Sequence, residues 1–313
     1  MNAPSAATPA VAVRGLIKSY GAVAAVRGIS FEVAAGEVFA ILGPNGAGKS
    51  TTVEILEGHR TADDGEVSVL GFDPAAAGRE FRDRVGIVLQ ESTVDTSEVT
   101  VAEALDTFGA AYRRPRDRGE VLELVGLAGK EDARLKALSG GQQRRIDLAL
   151  GLIGDPDLLF LDEPTTGFDP EARRAAWEMI KGLRSLGRTI ILTTHYMEEA
   201  ECLADRVAVL VDGRIVACAP PSRLLGSERA RVRFRLPAGA APGDLPALVA
   251  AAVEVDGDRA ALSTERPTAM LAELTAWAVG RGIELADLHV SPPSLEDAYL
   301  HLIGADGDGN RAN

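Results

Sequence analysis

The chain has 313 residues and a formal net charge of −13, with two cysteines, Cys202 and Cys218, in unrelated contexts. That length holds one large domain, or a medium one plus a small one, and buries a core without disulfides; the cysteines have no metal spacing, which fits two free thiols. The acidic balance argues against a general nucleic-acid binder, whose affinity rests on Lys and Arg meeting phosphates, and no apolar run nears the roughly twenty residues that cross a bilayer.

The opening MNAPSAATPA lacks the charged start and apolar middle of a signal peptide, so residues 1–10 are expected as a disordered tail, like residues 304–313. From Val11 to about Val33, short apolar runs alternate with small and charged residues near period two, which predicts antiparallel strands; GEVSVL (Gly65 to Leu70) is another. The character then changes. VFAIL, GIVLQ, LLFLD, TIILTTH and RVAVLVDG are short, continuous and apolar, and helical stretches separate several of them. That alternation predicts a parallel sheet covered on both faces.

Between Gln90 and Leu138 the pattern is helical, a subdomain of about residues 91–140. Thr100 and Glu103 have capping-box spacing, and Asp117 to Leu127 reads as a second helix. Pro220 and Pro221 close a core domain spanning residues 11–220. Residues 221–303 then read β-α-β-β-α-β: RVRFRL, a short helix in GDLPALVAA, a hairpin turning at Asp256 and Gly257, a helix with Met270, Leu274, Trp277 and Ala278 on one face, and IELADLHV as the last strand. This order suggests a small α+β domain of ferredoxin-like type. SLEDAYLHLIG is expected to be a closing helix.

Three stretches carry chemistry. GPNGAGKST (Gly43, Pro44, Asn45, Gly46, Ala47, Gly48, Lys49, Ser50, Thr51) fits the phosphate-loop pattern between a strand and a helix. Its glycines let the backbone wrap a phosphate, the new helix presents its positive end, Lys49 adds charge near the outer phosphates, and Ser50 offers a hydroxyl to Mg2+. LLFLDEP places Asp162 at the carboxyl end of a strand, where it reaches Mg2+. Strand alternation points Glu163 elsewhere, free to polarise an attacking water. His195, ending TIILTTH, is placed to orient Glu163 and contact the terminal phosphate. Gln90, ending GIVLQ, is a weaker candidate for Mg2+. LSGGQ, Leu138 to Gln142, is a glycine turn leading into a helix. Ser139 with the amides of Gly140 and Gly141 makes a second anion site, while Ser139 alone also reads as an ordinary helix cap.

Together these motifs resemble the ATP-binding subunit of ABC transporters over about Val11 to Pro220: a Walker A loop, LSGGQ, a Walker B strand with its glutamate, and a terminal histidine, in order. The resemblance implies the ABC fold of P-loop NTPases, ATP and Mg2+ as cofactors, and ATP hydrolysis coupled to transport. It implies that Tyr20 stacks on adenine and Gln90 is the Q-loop glutamine at the joint with the membrane partner. Asp169 lies at the dimer seam, and Ser139, Gly140, Gly141 and Gln142 serve the ATP of a second copy. Phe168 stands where the family usually has leucine. The implied partners are a second copy in an ATP-sandwich homodimer and a separate polytopic membrane permease, at the cytoplasmic side of the cell membrane, with no nucleic acid. THYMEEAE, the small C-terminal domain and SLEDAYLHLIG resemble the daunorubicin-resistance type, which implies an ABC-2 exporter of hydrophobic drugs. Competing expectations are an importer, an exporter of lipid or polysaccharide, and an ABC-type ATPase acting on DNA or ribosomes.

Overall fold

The structure is a computed structural model that describes residues 8–89, 98–225, 230–237, 239–291, 294–296, 298 and 299. It divides into two compact units, Met1–Pro221 and Ser222–Asn313.

In the first unit, β1 (Val11–Tyr20) and β2 (Val23–Val33) form a hairpin, and β3 (Val38–Leu42) runs into α1 (Lys49–Leu56). The strand β4 (Asp64–Val69) returns to β1, completing an antiparallel sheet of order β2-β1-β4. After a single turn, α2 (Arg79–Arg82), comes β5 (Val85–Val88), then the helices α3 (Val101–Gly109), α4 (Arg118–Leu124) and α5 (Gly140–Leu152). The chain continues through β6 (Leu158–Asp162), α6 (Pro170–Ser185), β7 (Thr189–Thr194), α7 (Met197–Leu203), β8 (Arg206–Val211) and β9 (Arg214–Ala219).

The main sheet has the order β5-β6-β7-β3-β8-β9, parallel throughout except for β9. Its inner strands are apolar on both faces because helices cover both: every residue of β3 and β7 is buried. Phe39 and Phe160 are fully buried, each side chain worth about 1.5–3 kcal/mol in apolar burial. The ring of Phe31 stacks on that of Phe39 with centroids 5.1 Å apart, fastening the antiparallel sheet to the main one. The predicted cap of α3 is present, with the Thr100 hydroxyl accepting from the Glu103 amide and the Glu103 carboxylate accepting from the Thr100 amide. The helix α5 packs on β5, α3 and α4, and from Arg144 to Leu152 every residue but Arg145 is buried.

One strand departs from the sequence reading. A further strand, β9, which the sequence reading does not name, follows RVAVLVDG. Asp212 and Gly213 both have positive φ, 46° and 75°, and make a two-residue hairpin turn that sends β9 back along the sheet edge.

The second unit follows a short helix, α8 (Pro221–Leu224), that begins at the boundary. It contains β10 (Ala230–Arg235), α9 (Ala247–Ala250), β11 (Val253–Asp256), β12 (Arg259–Thr264), α10 (Pro267–Gly280) and β13 (His289–Ser291). The sheet order is β11-β12-β10-β13 with every pair antiparallel, the arrangement of two split β-α-β units. Met270, Leu274 and Ala278 of α10 are buried against Val232, Phe234 and Leu262, with Trp277 partly buried beside them. The last strand is shorter than IELADLHV predicts. Asp287 turns with φ 55°, its carboxylate 2.7 Å from Arg235, and only the residues beyond it extend. Within SLEDAYLHLIG, the described residues Leu295, Glu296, Ala298 and Tyr299 are helical.

Candidate active site

The loop between β3 and α1 needs its glycines for its own conformation. Gly46 and Gly48 have φ of 82° and 101°, where side chains bring strain. A Cβ on Gly48 would lie 2.3 Å from the Ala25 carbonyl oxygen, and one on Gly43 2.3 Å from that of Leu210. Gly48 caps α1, whose first turn has no acidic residue, so its positive end is not neutralised there. Lys49 is buried. Its Nζ folds back over the loop and donates to the carbonyls of Gly43 at 2.9 Å and Pro44 at 3.2 Å.

The end of β6 meets this loop. The Thr193 hydroxyl on β7 donates to the Asp162 carboxylate and accepts from the Glu163 amide at 3.1 Å. Glu163 is not placed by strand alternation, as the sequence reading has it. Its backbone turns left-handed, φ 46°, just past the strand, a strained conformation typical of sites where a side chain must be aimed. The turn directs the carboxylate back into the site: Oε1 lies 3.5 Å from Lys49 Nζ, and Oε2 lies 3.2 Å from His195 Nδ1 and accepts from Thr166 Oγ1 at 3.1 Å.

The two carboxyls are tuned in opposite directions. Burial pushes Asp162 above the usual carboxylate range, with the charges of Glu163 and Glu54 adding to it, while the Thr193 bond and Lys49 oppose. Burial also acts upward on Glu163, but its bond to His195, the charges of His195 and Lys49, and the Thr166 bond outweigh it and hold the carboxyl below its ordinary value. Glu163 is thus kept as an anion able to accept a proton, and Asp162 sits where a cation would relieve its cost. Among the described residues no three His, Cys, Asp or Glu side chains cluster as a metal cage. Mg2+ takes one or two carboxylates and fills its shell with water and substrate phosphates; Asp162 and the exposed Ser50 are the groups that would hold it. Glu57, buried near the end of α1, is pushed up to about 8 by burial, then by Asp162 and Glu54.

The LSGGQ turn and Asp169 lie together elsewhere in the same unit. Ser139 caps α5, its hydroxyl accepting from the Gln142 amide at 3.3 Å while the Gln142 side chain accepts from the Ser139 amide at 3.0 Å. Among the described residues, a Cβ built on Gly140 or Gly141 would meet nothing within 4 Å. Asp169 caps α6 through the amides of Glu171 and Ala172. Ser139 to Gln142 and Thr166 to Asp169 line one open cleft of about 740 Å³, which neither Lys49 nor Glu163 lines.

Tyr20, at the end of β1, is 41% exposed, with the Arg60 guanidinium 5.3 Å and the Lys18 ammonium 5.8 Å from its ring centroid. These residues border a cleft of about 320 Å³ with His59 and Thr61. Gln90 lies outside the described residues. Sequence reasoning missed Thr193, Thr166 and Glu57. The only signal for Thr193 is a hydroxyl two residues before His195, right after the apolar run Ile190 to Leu192.

The family described as ABC transporter matches residues 26–166, and that described as ABC transporter domain-containing protein-like, C-terminal domain, matches residues 230–294. The chain is similar to the Nod factor export ATP-binding protein I of Rhizobium meliloti (strain 1021), 42% identical over 95% of this chain and 89% of the relative. Its likeness to the protein of the same name in Ralstonia nicotianae is 40% over 95% of this chain and 94% of that one. Among solved structures, cbiO1 of Clostridium perfringens, part of the ABC transporter complex cbiONQ, superposes with a TM-score of 0.64 and 28% identity, covering 70% of this chain and 91% of that one.

Proposed function

Because the chain belongs to the ABC transporter family of ATP-binding subunits, an ATPase that uses ATP with Mg2+, we propose that it powers export through a separately encoded membrane permease, working as a pair of copies that share two ATP molecules. The observation that carries this reading is the convergence of Lys49, Glu163 and His195 at the start of α1, apart from the cleft that holds Ser139 and Asp169. One copy supplies the phosphate loop and the other supplies the LSGGQ turn. Among the described residues no helix is long and apolar enough to cross a membrane, which is consistent with a permease on another chain at the cytoplasmic face.

In this reading Tyr20 stacks on adenine, and the amides of Gly46 to Ser50 with Lys49 bind the phosphates. Mg2+, when bound, neutralises and orients the outer phosphates. Glu163 polarises the attacking water, and His195 and Thr166 hold its carboxylate in place. Gln90 is the joint toward the permease, and Asp169 faces the seam. Most of the rate comes from positioning and charge stabilisation.

The relatives named for Nod factor export align over nearly the whole chain, which supports export over import. A hydrophobic drug as cargo rests on the resemblance to the daunorubicin-resistance type, and the two cargoes separate in vesicles holding the permease: uptake of a drug dye but not of a Nod factor supports the first, the reverse the second. For the ATPase itself, Glu163→Gln is expected to keep ATP affinity, lose nearly all turnover and accumulate an ATP-held dimer by light scattering. Hydrolysis at the wild-type rate would remove Glu163 from this role.

A further inference from the structure

Arg144 sits one turn into α5, five residues after Ser139, and is only 8% exposed. Its guanidinium spends all three nitrogens on carbonyl oxygens outside its own helix. Nε donates to Pro164 and Nη2 to Asp162, both at 3.3 Å, and Nη1 donates to Leu89. Asp147, three residues on, balances the charge at 3.6 Å. The carbonyls of Asp162 and Pro164 flank Glu163. A side chain of the helix that begins at the LSGGQ turn therefore holds the backbone on both sides of the candidate base. Fully buried Glu199 of α7 holds the same segment through another contact, accepting from Thr165 Oγ1 at 2.7 Å and from Trp177 Nε1 at 3.1 Å. Residues 162–165 are thus held by two buried side chains, Arg144 through the carbonyls of Asp162 and Pro164 and Glu199 through the Thr165 hydroxyl.

A planar, always-charged fork suits three fixed carbonyls, and a buried cation that lost them would bear a large desolvation cost. The helix and the strand end are therefore constrained to move together. We propose that Arg144 is a positioning residue that couples the two ATP sites of the dimer: nucleotide engaging Ser139 and its glycines moves α5, and Arg144 carries that movement to the backbone around Glu163. This rests on the shared-site reading above. It assigns to one side chain the communication between the site a copy completes for its partner and the site it catalyses itself.

The test uses the full-length protein and two variants, Arg144→Gln and Arg144→Lys, the latter keeping the charge beside Asp147 without the reach to three carbonyls. ATPase rate is measured against ATP concentration, with binding of a non-hydrolysable ATP analogue and thermal melting alongside. Wild type is expected to show a Hill coefficient of about 2 and the variants about 1, with kcat down roughly tenfold and analogue affinity within about twofold. Both variants folded, with Hill coefficients still near that of wild type, would overturn the proposal; should Arg144→Gln not fold, Arg144→Lys decides by the same criterion. A non-cooperative wild type, together with no ATP-held dimer of Glu163→Gln, sinks the shared-site reading instead, so the two failures are distinguishable.

Discussion

The two glycine-rich turns of this protein are built for different reasons. In the phosphate loop, Gly43 and Gly48 are demanded by the chain itself, since a Cβ at either would press into a backbone carbonyl, and Gly46 and Gly48 are left-handed. In LSGGQ, Gly140 and Gly141 have ordinary φ and open space where a side chain would go. The protomer gives no internal reason for glycine there. In the proposed shared-site reading, the close approach of another copy's nucleotide is the reason for both positions. The first turn is thus legible as structure and function together, and the second only as function.

That contrast can be broken by substitution. The largest effect is expected at Gly48→Ala, which adds left-handed strain to a backbone clash and should cost roughly 3–5 kcal/mol in denaturant unfolding. Next comes pH. Glu57, at the C-terminal cap of the helix that starts in the phosphate loop, has its pKa raised from 4.5 to about 8. A carboxyl raised in the folded state favours folding fully below its unfolded value, and that contribution is lost as pH rises toward the folded value. Glu57→Gln should therefore gain stability over wild type progressively between these two pH values, by a few kcal/mol at the upper end, and melting that shows no such trend removes Glu57 from the account. Ser139→Ala removes a cap and should cost about 1 kcal/mol of stability, while ATPase activity falls much further than that loss explains. The smallest change in stability is expected at Gly141→Ala: melting unchanged or up to about 1 kcal/mol better, because alanine suits a helix, yet ATPase activity down at least about tenfold. A folded Gly141→Ala with wild-type activity would erase the difference between the two turns.

Much of this is legible in the sequence. The parallel strands announce themselves as continuous apolar runs because both faces are covered, and the caps at Thr100 and Ser139 rest on local rules. The phosphate loop is likewise a local pattern. What stayed hidden is set by contacts remote in sequence or by unusual backbone. The left-handed turn at Glu163 replaces alternation as the device that separates the two carboxylates, and no residue type marks it. Arg144 reaches carbonyls 20 and 55 positions away, which spacing does not disclose. The edge strand β9 has a local signal too: Asp212-Gly213 carries the same hairpin pattern as Asp256-Gly257.

The central claim is that each active site is assembled from two copies, and one mixing experiment addresses it most directly. Ser139→Ala and Lys49→Ala chains, each expected to be nearly inactive alone, are combined at varying ratios and assayed for ATP hydrolysis. In a two-fold dimer, half the pairs at equal mixing are mixed, and each has one intact composite site, so activity should recover to at most about a quarter of wild type. Flat activity at every ratio, with mixed dimers demonstrated by mass, would contradict sharing across the interface.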